Sequence, residues 1–240
     1  MAACIVPLRR RELVAERTAA CYLEKPADFV HRAGQNVLVT LVDLSEPDGK
    51  GPSRTFSIAS APHEPELMIV TRLRDTAFKR ALKSAVPGTL VRVDAPSGTM
   101  VLHEDARRPA VFLAGGIGVT PFLSMARDAA KRRLPHRVTL FYSNRRPEDA
   151  AFLDELRALE QSNPNFRLVA TMSQVEKSSR PWKGEAGKIR PEMLRRYLSD
   201  LGSPIYYSAG PHGMTMAMEL MLGDLGVKYE DMRSEEFYGY

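Results

Sequence analysis

The chain is poor in cysteine. Its 240 residues hold only Cys4 and Cys21, too few for an iron–sulfur cluster, which takes four cysteines or a Cys/His mixture, and not at a metal-ligand spacing. Both read as small apolar residues, and no metal site is expected. Long hydrophobic runs are missing as well: nowhere do about eighteen apolar residues follow one another, so no segment reads as a membrane span. The opening "MAACIVPLRRR" places its apolar residues ahead of its basic cluster, the reverse of a secretory signal. These absences lead to the expectation of a cytoplasmic protein. No basic run is long and none is interleaved with aromatics, which argues against a nucleic-acid stacking platform.

What is there is an ordinary globular composition with a mild basic excess, 34 Lys and Arg against 29 Asp and Glu, or +5. The excess is spread over short runs: Arg9 to Arg11, Arg72 with Arg74, Lys131 to Arg133, and Arg145 with Arg146. Singly these read as solvated surface; together they fit an anionic ligand or an acidic partner protein.

The texture changes once, near "HEDARRPAV" (103–111). Before it, short β-branched runs such as "NVLVTLVDL", "TFSIAS", "ELMIVTRL" and "TLVRVDAP" are separated by turn chemistry ("EPDGKGP", "PHEP", "VPG", "PSG"), the pattern of an antiparallel barrel or sandwich. After it, continuous apolar strands alternate with amphipathic helical patterns, the pattern of a parallel sheet covered on both faces. Two domains are expected, 1–105 and 106–240, with "VKYEDMR" as the last parallel strand and an aromatic tail, "SEEFYGY", leaving its carboxyl edge.

Two glycine-bearing turns stand out in the second half. "LAGGIGVTPF" leaves a strand and enters a helix, so Gly115, Gly116 and Gly118 allow close backbone approach while the helix N-terminus offers free N–H groups to an anion. "YYSAGPHGM" ends another parallel strand at Gly210 and Pro211. In an open α/β sheet, ligands collect outside the carboxyl ends of strands at the topological switch point, where two such turns can face one ligand. The plain alternative is a pair of tight turns, with Met214, Met216, Met218 and Met221 filling core. In the first half, "SRTFSIAS" (53–60) reads as a buried strand that carries an arginine, and a buried charge needs a partner, either a ligand or a carboxylate such as Asp94. Asp75 or Thr76 can cap a helix with the face Phe78, Leu82 and Ala85.

The combination of R-x-[YF]-S-x-x-S at Arg54–Ser60, G-G-x-G-x-T-P at Gly115–Pro121, G-P-x-x-M at Gly210–Met214 and a terminal "EEFYGY" resembles the ferredoxin–NADP reductase superfamily over nearly the whole chain. The resemblance is to its modules without a fused iron–sulfur or haem domain. It implies an N-terminal antiparallel flavin-binding β-barrel followed by an NAD(P)-binding α/β domain. It also implies FAD, with FMN less well supported, and NAD(P)H as co-substrate.

By this resemblance Arg54 meets the flavin pyrophosphate, with Thr55 beside it; Phe56 lies on the isoalloxazine in place of the commoner Tyr; and Ser57 offers a hydrogen bond near N5. Ile69, Val70 and Thr71 form the facing strand. Thr76, Ala77, Phe78 and Lys79 stand where the family often has a Gly-Gly-x-x-Ser pattern at a phosphate-binding helix start. Gly115, Gly116, Gly118, Thr120 and Pro121, with Gly210, Pro211 and Met214, hold the nicotinamide nucleotide. Thr120 touches both cofactors, and Ala209 replaces a cysteine common in the family. Ser143, Asn144, Arg145 and Arg146 close the adenosine side, where the two arginines suit a 2'-phosphate while "ATMSQVEK" lacks the Ser-Arg pair of NADP users; the choice between NADH and NADPH stays open. Phe237 covers the flavin face and Glu236 stands near N5, with Ser57 and Thr120 completing the catalytic set.

The implied reaction is hydride transfer from NAD(P)H to the flavin, then electron transfer to a separate acceptor protein, expected to be acidic, such as a ferredoxin, a flavodoxin or an oxygenase component. Two other classes remain: an electron-transfer or regulatory subunit of a larger complex, and a nucleotide-binding scaffold without flavin.

Overall fold

The computed structural model describes residues 3–43 and 49–237. Six strands form the first sheet: β1 (Cys4–Ala15), β2 (Thr18–Glu24), β3 (Asn36–Leu41), β4 (Ser53–Ser57), β5 (Glu66–Arg72) and β6 (Leu90–Val93), with helix α1 (Ala77–Ser84) between the last two. The order β4-β3-β6-β1-β2-β5 is antiparallel throughout. Its edge strands β4 and β5 curl back toward each other, and just past β4 the Ala59 N–H donates to the Met68 carbonyl at 2.8 Å. The sheet is thus a barrel left open along the rest of the β4/β5 edge. Val37 and Val39 on β3, Ile69 on β5, Val91 and Val93 on β6 fill its interior by strand alternation, and Phe78 and Leu82 of α1 enter the same core.

The second sheet contains β7 (Ala110–Gly115), β8 (Val138–Asn144), β9 (Phe166–Met172), β10 (Glu185–Ala186), β11 (Ile205–Pro211) and β12 (Met232–Phe237), all parallel, in the order β10-β9-β8-β7-β11-β12. Helices α2 (Val119–Arg132), α3 (Leu153–Ser162), α4 (Pro191–Tyr197) and α5 (His212–Asp224) cover it. Strand alternation sends Phe112, Leu140 and Tyr207 to the face under α2 and α3, and Val111, Leu113, Phe141 and Tyr206 to the face under α4 and α5. Burial on both faces is why these strands read as unbroken apolar runs. The chain lays β8 and β9 on one side of β7 and β11 and β12 on the other, so the order reverses between β7 and β11, the switch point at which both glycine turns end.

The α2 face also takes in Ala20, Ala59, Met68 and Val70 from the barrel, so one apolar core runs across the domain seam. Between the sheets, the 94–109 connection carries His103, whose Nδ1 is 2.8 Å from the Tyr207 hydroxyl, and Arg108, which pairs with Asp231 at 2.7 Å.

Two expectations are corrected. The final strand begins only at the end of "VKYEDMR": Tyr229–Asp231 form a short 3-10 turn, and the strand runs Met232–Phe237, taking in the first four residues of the segment expected as a tail. The spacing Leu194, Tyr197, Leu198, Leu201 predicts a helix running past residue 200, but α4 ends at Tyr197. Among the described residues no helix is long and apolar enough to cross a membrane.

Candidate functional site

The open edge of the barrel forms a cavity of about 480 Å³ between β4, β5, the start of α1, the β7–α2 turn and the end of β12. Arg54 and Phe56, two apart on β4, line it together, as do Thr55, Ser57, Val70, Thr71 and Thr76. Ile69 does not: alternation turns it into the barrel core. The Phe56 and Phe78 rings lie 5.9 Å apart, tilted by 33°, and the Arg54 guanidinium sits 5.2 Å from the Phe78 centroid. Arg54 Nη1 also donates to the carbonyls of Lys50, Gly51 and Ser53 at 2.9, 2.9 and 2.7 Å. Asp94 instead accepts from Arg92 Nε at 3.0 Å, so a pairing with Arg54 does not form.

Thr76, not Asp75, caps α1, its hydroxyl accepting from the Lys79 N–H at 3.4 Å; Asp75 pairs with Arg80 at 2.6 Å. Ala77 and Phe78 are buried behind the cap. Lys79 is pushed below the ordinary lysine range, first by burial and then by the positive charges of Arg74, Arg54, Arg72 and Lys50. A helix N-terminus and cations that repel one another at a groove with an aromatic wall suit a planar ligand with a phosphate tail. The residues present therefore fit a flavin.

Between the β7–α2 and β11–α5 turns lies a second cavity of about 640 Å³, outside the carboxyl ends of β7, β8, β9 and β11. A Cβ at Gly115 would collide with Met214 Sδ, and one at Gly118 with the Ala209 carbonyl. Gly116 has φ +55° and Gly210 φ +153°. The glycines thus let two backbone turns interlock, which the tight-turn reading anticipates, while leaving Gly115, Gly116, Pro211 and Met214 on the cleft wall. Gly118 and Pro121 are buried under it. Thr120 is buried, donates to the Ile117 carbonyl at 2.9 Å, and lines the barrel groove along with Ile117. One turn therefore forms part of both cavities. Of the helix methionines, Met214, Met218 and Met221 line the cleft, Met218 also belonging to the buried core, and Met216 is exposed.

Ser143, Asn144 and Arg145 reach the cleft from β8, with Arg72 and Arg74 from the barrel. Arg146 turns away to Asp149 (3.1 Å) and Glu16 (2.8 Å), carboxylates that raise its already high pKa. Among the described residues Arg145 has no such carboxylate. Sequence reasoning missed Lys188 and Arg190, which line the cleft just before α4. Their signal was "GKIRP", two cations ahead of a helix-starting proline. The other basic runs are committed locally: Arg9 to Glu24, Arg10 to Glu12 and Glu66, Arg11 to the last carbonyls of α1, and Arg132 to Asp128.

Glu236, expected near the flavin N5, lines the groove, while the carboxylate bonded to Ser57 is that of Glu235. Ser57 Oγ donates to Glu235 Oε2 at 3.2 Å, and Asn36 Nδ2 donates to Glu235 Oε1 at 3.1 Å. Burial raises the Glu235 pKa, and the two hydrogen bonds oppose that rise. Glu236 pairs with His212 Nδ1 at 2.9 Å. Adjacent residues of a strand turn to opposite sides, so Glu235 meets Ser57 and Asn36 while Glu236 lines the groove beside His212. Phe237 lines the barrel groove; Tyr238 and Tyr240 of the expected aromatic tail lie outside the described residues, as does most of the "EPDGKGP" turn.

The oxidoreductase NAD-binding domain family matches residues 112–219. Ferredoxin–NADP reductase B of Sorangium cellulosum is 30% identical over 217 residues, covering 87% of this chain and 86% of that protein. Reductase component 2 of terephthalate 1,2-dioxygenase from Comamonas is 25% identical over 207 residues, and the match spans 85% of this chain but 59% of that protein. In fold, the FAD/NAD-binding domain of nitric oxide dioxygenase from Vibrio cholerae superposes with a TM-score of 0.83 at 20% identity, covering 99% of both chains. A ferredoxin NADP+ reductase from Neisseria gonorrhoeae, solved with FAD and NADP, gives 0.82 at 21% identity, covering 98% of this chain and 99% of that one. With its open barrel, its parallel sheet and a 30% identical reductase matched over most of both lengths, the chain belongs to the ferredoxin–NADP reductase family.

Proposed function

We propose that the protein is an NAD(P)H-dependent flavoprotein reductase that holds FAD in the barrel groove, takes a hydride from a nicotinamide in the adjacent cleft and delivers electrons to a separate acceptor protein. The observation that carries this reading is the shared wall: the β7–α2 turn contributes Ile117 and Thr120 to the groove and Gly115 and Gly116 to the cleft. Two rings bound on either side of one rigid turn are held for reaction by position alone, which is where most of the rate in such a step originates. The flavin, when bound, supplies the redox chemistry, accepting two electrons together and passing them on singly.

The chain's own residues bind and align. Arg54 and the N–H groups at the start of α1 hold the diphosphate, which favours FAD over FMN. Phe56, Ser57 and Phe237 line the groove, where the two aromatic rings would offer a flavin ring apolar surface and Ser57 a hydroxyl. Residues 1–105 form the flavin unit and 106–240 the nucleotide unit. Arg145, Lys188 and Arg190 supply the positive charge for a coenzyme phosphate. A basic excess of +5 favours an acidic acceptor. Terephthalate dioxygenase reductase and ferredoxin–NADP reductase B are the relatives whose names support a separate acceptor.

The test is to purify the chain with FAD supplied and reduce it anaerobically with NADH or NADPH. Retention of flavin and bleaching of its visible absorbance on mixing support the reading; a chain that takes up no flavin overturns it.

A further inference from the structure

We propose that Asn36 is a positioning residue for the Glu235 carboxylate, oriented by Ser97, so that a side chain of the barrel fixes an acid from the other domain at the wall of the flavin groove. Its consequence for turnover rests on the function proposed above; its geometry does not.

Asn36 opens β3 and is tied to Ser97 in both directions, Asn36 N–H to the Ser97 carbonyl at 2.9 Å and Ser97 N–H to the Asn36 carbonyl at 2.8 Å. The Ser97 hydroxyl then donates to Asn36 Oδ1 at 2.7 Å. With the amide oxygen engaged on that side, the NH₂ points the other way, and there it donates to Glu235 Oε1 at 3.1 Å, across 199 residues of sequence. Gly98 keeps the space open: at its φ of +95° any Cβ would lie 2.7 Å from Asn36 Nδ2. The remaining carboxylate oxygen accepts from Ser57 Oγ.

Each oxygen of Glu235 therefore has one donor from the barrel, and both donors are neutral. The charged residues lining the same groove are Lys50, Arg54, Lys79 and Glu236, and the strand beside Glu235 contributes Ala209. The carboxyl is raised by burial and lowered by Asn36 and then Ser57, with no charged group among its causes. Two hydrogen bonds are the whole counterweight to desolvation. Removing one of them lets the carboxyl take up a proton at higher pH, and a hydrogen bond to a charged group is strong enough to move the midpoint by about one to two units. Asn36 thus favours the carboxylate form of Glu235, the acid whose other oxygen accepts from Ser57.

The experiment uses the full chain with its flavin. The Glu235 side-chain carboxyl signal, assigned by its loss in Glu235→Gln, is followed by carbon-13 NMR against pH in the parent, Asn36→Leu and Ser97→Ala, and the pH dependence of flavin reduction is recorded alongside. The expected result is a midpoint about one to two units higher in Asn36→Leu, a smaller rise in Ser97→Ala, where the amide is kept but its orientation is not fixed, and a pH profile that moves the same way. A role in holding the 94–100 turn alone would lower stability in both variants and leave the midpoint where it is; an unchanged midpoint in folded Asn36→Leu overturns the proposal. Should that variant not fold, an unchanged midpoint in Ser97→Ala does so. If the flavin is never reduced by either nicotinamide, the proposed function fails while the NMR titration still decides the role of Asn36.

Discussion

Replacing Arg54 by alanine removes a side chain that does two things at once. Its guanidinium lines the groove in which the proposed function places the flavin phosphates, and its Nη1 gathers the carbonyls of Lys50, Gly51 and Ser53 at the start of β4. A hydrogen bond to a charged group contributes about 1.5 to 3 kcal/mol, so the lost phosphate contact alone should raise the FAD dissociation constant by about one to two decades, at about 1.4 kcal/mol per decade. Losing the carbonyl contacts loosens one lip of the groove and adds to that. Arg54→Lys separates the effects: the charge remains, but the planar fork that spans carbonyls and phosphate does not, so affinity should fall between parent and alanine variant. The assay is titration of apoprotein with FAD, followed by quenching of flavin fluorescence. Refutation would be a folded Arg54→Ala chain that binds FAD as tightly as the parent, because the groove would then hold no phosphate at this residue.

Arg145→Ala should lower kcat/KM for NADPH more than for NADH, whereas Arg146→Ala, which breaks contacts with Glu16 and Asp149, should lower Tm and leave the coenzyme ratio alone; comparing the two coenzymes in both variants checks this. Lys188→Ala with Arg190→Ala should raise KM for nicotinamide coenzyme without releasing flavin, read by steady-state kinetics beside the visible spectrum. The Glu235 carboxyl has a folded-state pKa above the ordinary 4.5, so its ionisation costs stability once pH exceeds the unfolded value, and the cost is complete above the folded one. Glu235→Gln should therefore raise Tm near neutral pH, with the gain disappearing as pH falls below about 4.5. A chain ending at Glu235 should keep its flavin but lose nicotinamide-dependent reduction by about two decades through misalignment, read by stopped-flow absorbance.

Much of this was legible because the signals were local. The alternation of apolar strands and helices after residue 106 is a property of strands buried on both faces, and glycine turns at 115–118 and 210–213 mark two adjacent strand ends. β1 carries "CIVPLRRRELVA", whose apolar residues are broken by arginines that pair with Glu24, Glu66 and the end of α1, so its strand character depends on partners far along the chain. That Glu235 rather than Glu236 bonds Ser57 has a similar origin. The face of a terminal strand follows from its register with β11, a pairing 26 residues distant at Ala209, and nothing in "SEEF" itself states which glutamate turns inward. Asn36 gave no signal at all, since its role appears only when two domains meet. Lys188 and Arg190 were present as a pattern but sit beyond a two-residue strand, β10, too short to be read.

In the proposed function, one rigid turn aligns a flavin and a nicotinamide for direct hydride transfer. The most direct measurement is anaerobic single-turnover reduction with NADH and NADPH deuterated at the transferred hydrogen of C4, on the purified chain carrying FAD. Direct transfer gives loss of flavin absorbance on mixing, with a primary isotope effect on the rate and the deuterium leaving the nicotinamide. Flavin that stays oxidised beside either saturating nicotinamide would contradict it.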